Sequence, residues 1–211
     1  MEKSIFEEPI NINNSQHKIV VTKGINKDYI SNINTNWHEF LMKYLAKLSA
    51  EINSEDELSS IIENENFGDF YWDWNSITLN LNSKNECHFL FIDDRIEAII
   101  ITYHPKYSVL DNNDIFFIER FATAPWNRKV TSFERKYTGI GTLFLKILCS
   151  YYRKELHYRY GFSLLSLSSS KTFYEKIGMK YIEKFNESGM FYYEISEKDC
   201  KNFVEGGRND Y

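Results

Sequence analysis

Between Ile115 and Met179 the chain changes character in an order that few folds accommodate. Ile115 to Ala124 (IFFIERFATA) is an apolar run that predicts a strand, and Pro125, lacking an N–H, ends its ladder. A polar loop, Asn127 to Lys136, carries Arg128, Lys129, Arg135 and Lys136. Gly139 and Gly141 then open a segment, Gly139 to Glu155, in which Leu143, Phe144, Ile147, Leu148, Tyr151 and Tyr152 recur at helical spacing. Phe162 to Leu167 predicts a second strand, Ser170 to Ile177 a short helix, and Gly178 its C′ residue. Strand, glycine turn, helix, strand is the order in which an α/β domain presents backbone N–H groups to a phosphate-bearing ligand.

The remaining segments fit around that unit. Residues 1–17 are polar and Asn-rich and predict a loosely held lead-in. His17 to Lys23 predicts a strand. Tyr29 to Ala50 predicts an amphipathic helix with Ile30, Ile33, Trp37, Phe40, Leu41, Tyr44, Leu45 and Leu48 inward and a break near Asn34 to Asn36. Ser54 with Glu57 fits a capping box over Leu58, Ile61 and Ile62. The aromatic stretch Phe67 to Trp74 reads as a loop packed on the core, or as one wall of an acceptor pocket; Ile77 to Leu81 predicts a short strand. Cys87 to Ile92 and Ile96 to Tyr103 predict a hairpin across Asp93-Asp94-Arg95, ended by His104-Pro105. Lys180 to Phe185 and Met190 to Ile195 predict a closing hairpin across Glu187-Ser188-Gly189. No repeat or linker divides the chain, so residues 18–195 are expected to form one domain, followed by a polar, disordered tail over 196–211.

Composition excludes several classes. Three widely separated cysteines, Cys87, Cys149 and Cys200, do not make a disulfide framework or a zinc site, and the histidines lack ligand spacing, so no metal is expected. The first residues lack a secretory pattern, and no apolar run approaches the roughly 20 residues of a membrane span. A cytoplasmic location and no membrane partner are the default expectations. A net charge of −5 argues against a general nucleic-acid footprint. Hydrophobic residues at 43% suffice for a sizeable core.

Two stretches in this order resemble the GNAT superfamily of acyl-CoA-dependent N-acyltransferases. Lys136-Tyr137-Thr138-Gly139-Ile140-Gly141 is similar to its pyrophosphate turn, Arg/Gln-x-x-Gly-x-Gly/Ala, and Phe173-Tyr174-Glu175-Lys176-Ile177-Gly178-Met179 to its later tyrosine helix. The strand Ile118 to Pro125 is similar to the family's cofactor strand, and the resemblance covers about residues 87–195. It implies a mixed, mostly antiparallel, twisted α/β sheet with helices on both faces. It further implies acetyl-CoA as cosubstrate, held by the main chain of Phe121, Ala122 and Thr123 and by Lys136, Tyr137, Thr138, Gly139, Ile140, Gly141 and Thr142. Tyr174 would protonate the leaving thiolate. Glu119 is the candidate base; as a plain strand carboxylate it would instead pair with a neighbour, and alternation puts it and Arg120 on opposite faces.

Two departures stand against the pattern: Lys136 replaces Arg or Gln, and Leu167, followed by Ser168 and Ser169, replaces a frequent Asn. The implied activity is direct transfer of an acetyl group to a primary amine, on a small molecule, a peptide N-terminus or a lysine. The rivals are a non-catalytic CoA-binding sensor or scaffold and a toxin-type acetyltransferase acting on aminoacyl-tRNA. Whether the chain forms a homodimer is left open.

Overall fold

The computed structural model describes residues 2–50, 54, 67–69, 71–130 and 133–206. Its centre is a pair of strands, β3 (Asn85–Ile92) and β4 (Arg95–Tyr107), joined through Asp93 and Asp94, both with positive φ as a tight hairpin turn requires. Alternate residues of β4 serve two cores. Ala98 and Ile100 enter one, Ile99 and Ile101 the other, and all four are fully buried. β4 does not stop at His104-Pro105 but continues to Tyr107. Its register against the next strand shifts between Tyr103 and Lys106, so Pro105 sits where the ladder is interrupted and its missing N–H costs nothing.

β1 (Lys3–Ile12), β2 (Ser15–Lys23), β5 (Asp114–Thr123), β6 (Phe162–Ser166), β7 (Lys180–Tyr181) and β8 (Phe191–Glu194) complete an eight-stranded sheet in the order β1-β2-β3-β4-β5-β6-β8-β7. All neighbours are antiparallel except β5 and β6. Helix α1 (Lys27–Ser49) covers one face, and α3 (Ile140–Leu156) covers the other; α2 (Trp74–Leu79), α4 (Lys171–Lys176) and α5 (Glu197–Glu205) are shorter. The expected mixed, mostly antiparallel sheet with helices on both faces is therefore present.

Several expectations are corrected. The lead-in is a strand: Ile10 and Ile12 are buried, and Asn13 and Asn14 take positive φ to turn β1 into β2. The signal was there, an Asn pair between alternating apolar runs, but the polar composition hid it. α1 is unbroken; Asn34 points out to bond Asp73 and the Trp74 N–H. The window Ile77 to Leu81 overlaps a helix, α2, because Asp73 caps it through the Asn75 N–H and Thr78 folds its hydroxyl back onto Trp74 O. The polar tail forms α5, capped by Ser196 through the Asp199 N–H and anchored by buried Cys200. The closing hairpin is shorter than expected, with a 3-10 turn over Glu183–Phe185. The capping box at Ser54 and Glu57, with Leu58, Ile61 and Ile62, and the tail beyond Gly206 lie outside the described residues.

Candidate active site

The sheet opens where its one parallel pair ends. β5 and β6 are in register only from Phe116, Phe117 and Ile118 to Phe162, Ser163 and Leu164. Beyond Ile118, β5 stays paired with β4 alone through Thr123. At the point of divergence β5 carries a bulge: Ile118 faces Thr102 and Arg120 faces Ile101, leaving Glu119 as the extra residue. The bulge breaks the alternation that would have placed Glu119 and Arg120 on opposite faces. Phe116 and Ile118 enter the α3-side core before it; Phe121 packs there and Ala122 on the α1 side after it.

A groove of about 1070 Å³ runs from this opening across the start of α3. Phe121, Ala122 and Thr123 line one side, and Leu167, Ser169 and Ser170 follow β6 on the other. Thr138, Gly139, Ile140, Gly141 and Thr142 border it where α3 begins. Gly139 is the N-cap with φ 70°, and no side chain caps this helix, so its first N–H groups and the positive end of its dipole are offered to the groove. Lys129, Arg135, Lys146 and Lys176 stand around the same opening. An anion fits this set: backbone donors, a close-approaching glycine pair and surrounding cations.

Tyr174 lines the groove from α4 and is otherwise buried, 8% exposed, against Phe173 and Tyr193. Burial pushes its phenol well above the ordinary tyrosine range, so it holds its proton at neutral pH. The remaining residues expected at the site are elsewhere. Lys136 is exposed on the far side of the turn, its ammonium 5.0 Å from the Tyr137 ring centre. Tyr137 is buried against His17. Glu119, half-buried at the bulge, does not border the groove. Arg135, not Lys136 as the family resemblance implied, borders the groove.

Contacts distant in sequence hold these parts. Asn13 donates through Nδ2 to Lys136 O at 2.8 Å and accepts from the Thr138 hydroxyl at 3.1 Å, so the β1–β2 turn clips the glycine turn. Buried Glu97 accepts from Arg95 Nε, Trp126 Nε1 and Asn127 Nδ2, and Asn127 accepts from the Tyr137 N–H. Arg128 donates to Thr123 O and forms a two-point pair with Asp69. α5 closes the far wall through Asn202 and Phe203, with Lys146 donating to Gly206 O at 2.8 Å. No spacing rule in the sequence signals Asn13, Asp69 or α5 as neighbours of the turn.

Thiol chemistry is not offered here. The three cysteines are free and buried, and burial pushes Cys87 up to about 12 and Cys149 well above its usual range. Among the described residues no helix is long and apolar enough to cross a membrane.

No family profile and no curated protein sequence matches the chain. Solved structures do. The GNAT domain of S. lividans PAT aligns with a TM-score of 0.52 and 11% identity, over 90% of this chain and 96% of that one. PaiA N-acetyltransferase from Thermoplasma acidophilum, solved in complex with coenzyme A, aligns at 0.45 and 18% identity, over 84% and 98%. Campylobacter jejuni N-acetyltransferase PseH aligns at 0.42 and 11% identity, over 84% and 97%. The first carries the likeness of fold; the other two add no weight to it.

Proposed function

The chain has the GNAT fold, and from that premise we propose that it is an N-acetyltransferase that moves an acetyl group from acetyl-CoA to a primary amine within a ternary complex. One observation supports this most: the β6-free stretch of β5, the uncapped start of α3 and Tyr174 all border one groove.

In this proposal the free main-chain groups of Phe121, Ala122 and Thr123 hold the amide-bearing arm of acetyl-CoA. The N–H groups of Gly139, Ile140, Gly141 and Thr142 bind its diphosphate, with Thr138 beside them. Lys129, Arg135, Lys146 and Lys176 supply the matching charge. Lys136 and Tyr137 hold the turn in place and do not touch the cosubstrate. The thioester supplies an activated acyl carbon with a sulfur leaving group. As the amine nitrogen bonds to that carbon and the C–S bond breaks, Tyr174 gives its proton to the departing sulfur. The nitrogen sheds a proton to restore the balance. Glu119 receives it through water, since it stands at the bulge and outside the groove lining.

The functional unit in this proposal is wider than residues 18–195. β1 and α5 belong to it, because Asn13 and Asn202 lie at the site's edges.

The test is a thermal melt with acetyl-CoA, followed by thiol release with amines. Binding at 100 times Kd adds about 2.7 kcal/mol of stability by mass action. The expected result is a higher Tm and amine-dependent thiol release. A higher Tm without release from any amine would favour the sensor. An unmoved Tm at millimolar acetyl-CoA would sink the proposal.

A further inference from the structure

Beside the groove lies a second pocket of about 350 Å³, the size range of small-molecule sites. The two share Asp69, Trp72 and Arg128. Three of the four tryptophans in the sequence, Trp37, Trp72 and Trp74, line this pocket, and Tyr71 joins them. Trp72 and Trp74 meet edge to face at 5.4 Å. The floor is apolar, from Ile33 and Leu41 of α1.

Its polar groups are unequal in charge. Asp69 and Arg128 largely cancel, being held in their two-point pair. Asp73 is bonded by Asn34, Asn75 and Ser76, neutral groups all, and has no cationic partner among the described residues. Hydrogen bonds from Ser76, Asn75 and Asn34 hold its carboxyl below the usual range, so it stays ionised at neutral pH. His38 also borders the pocket, and the Arg120 guanidinium lies 5.2 Å from the Trp72 ring centre. With Arg120 already over the Trp72 ring, the pocket offers aromatic edges and the Asp73 carboxylate, which is in no ion pair among the described residues; that suits a cation on a flat body, held by charge and ring contacts together.

Resting on the transferase reading, we infer that this pocket seats the acceptor, and that the acceptor is a small primary amine borne on a flat, apolar or aromatic body. Asp73 draws its amine in, and Trp72, shared by both pockets, sets it at the edge of the groove. The same chemistry disfavours amines that carry their own carboxylate, which Asp73 repels, and aliphatic amines, which leave the indoles unused.

The experiment uses the full chain with saturating acetyl-CoA. Thiol release is compared for 2-phenylethylamine, propylamine and glutamate, and tryptophan fluorescence is titrated with 2-phenylethylamine and with 2-phenylethanol. We expect kcat/KM for 2-phenylethylamine at least tenfold above either other amine, and fluorescence affinity at least fivefold above the uncharged alcohol. Asp73→Asn, which keeps the cap oxygen, should raise KM for 2-phenylethylamine about tenfold with Tm unchanged; Tyr71→Ala should raise it severalfold. Equal or better turnover of propylamine or glutamate overturns the inference, as does 2-phenylethylamine leaving both rate and fluorescence unmoved. In those cases an acetyl-CoA-dependent rise in Tm leaves the transferase reading standing. If that rise is also absent, both fall.

Discussion

A Cβ built on Gly141 would stand 3.1 Å from Cζ of Phe121, so the second glycine of the turn is what lets the splayed strand's ring lie against the start of α3. Phe121 borders the groove at this contact. Gly141→Ala should therefore move Phe121 more than it unfolds the helix. Alanine's helix preference, worth up to about 1 kcal/mol, offsets part of the crowding. The expected outcome is a Tm within a few degrees of the parent and acetyl-CoA affinity at least fivefold weaker, measured by calorimetric titration. Gly139→Ala has no such offset: at φ 70° an added Cβ costs roughly 1–2 kcal/mol.

Tyr174→Phe removes the proposed proton donor and leaves its packing. It should lower kcat by about 10² while leaving acetyl-CoA affinity nearly intact. Because burial raises the phenol above its ordinary value of 10, its own titration should not appear in rate profiles between pH 6 and 9. An unchanged kcat would remove Tyr174 as the acid.

Arg128→Ala leaves half-buried Asp69 without its partner and frees Thr123 O at the end of β5. Loss of one member of a buried pair costs about 3–5 kcal/mol, or a Tm drop of roughly 6–20 °C at this chain length, and this partly buried pair should fall toward the low end. Arg128→Lys should recover less than half of that, since an ammonium cannot span both carboxylate oxygens and the carbonyl. Circular dichroism melts decide it.

Asn13→Gly keeps the positive φ of the β1–β2 turn but deletes both bonds to the glycine turn. Asn13 is exposed, so the Tm should shift by under 2–3 °C. Acetyl-CoA affinity should nevertheless fall severalfold, because the N–H groups at the start of α3 lose a tether. Equal affinity would show that the clip does not position the turn.

His88 predicts an acid-side loss of stability. Its ring is fully buried, within 3.3 Å of the Thr102 and Tyr152 hydroxyls, and burial lowers its pKa to about 3, with Lys23 and His104 adding repulsion. Glu86 Oε2 lies 3.5 Å away while its Oε1 pairs with Lys23 at 2.7 Å, and the cost of burying a charged imidazole outweighs that carboxylate's attraction. The folded pKa lies below the unfolded value of 6.5. The stability is thus complete above pH 6.5 and lost as pH falls toward 3, by roughly 3 kcal/mol at pH 4. Urea melts from pH 7 to 4 should show this decline, and His88→Gln should flatten it.

What the chain determined by itself was local. The continuous apolar run of β4 required a strand buried on both faces, the apolar spacing after Gly139 required an amphipathic helix, and the residues from Phe173 to Gly178 required a short helix ended at positive φ. These are near-neighbour rules of sterics and solvent, so the order of strand, glycine turn, helix and strand could be read directly. Tertiary structure decided what closes the site. Asn13 reaches Lys136 and Thr138 across more than 120 positions, Arg128 binds Asp69 across 59, and α5 supplies a wall from a segment too polar to announce itself. The bulge at Glu119 and the outward turn of Lys136 depend on how β5 meets β4 and how the turn meets β1, and no local period encodes either. Pairings of that kind are set only when the sheet assembles, because their energy comes from groups that are strangers in sequence.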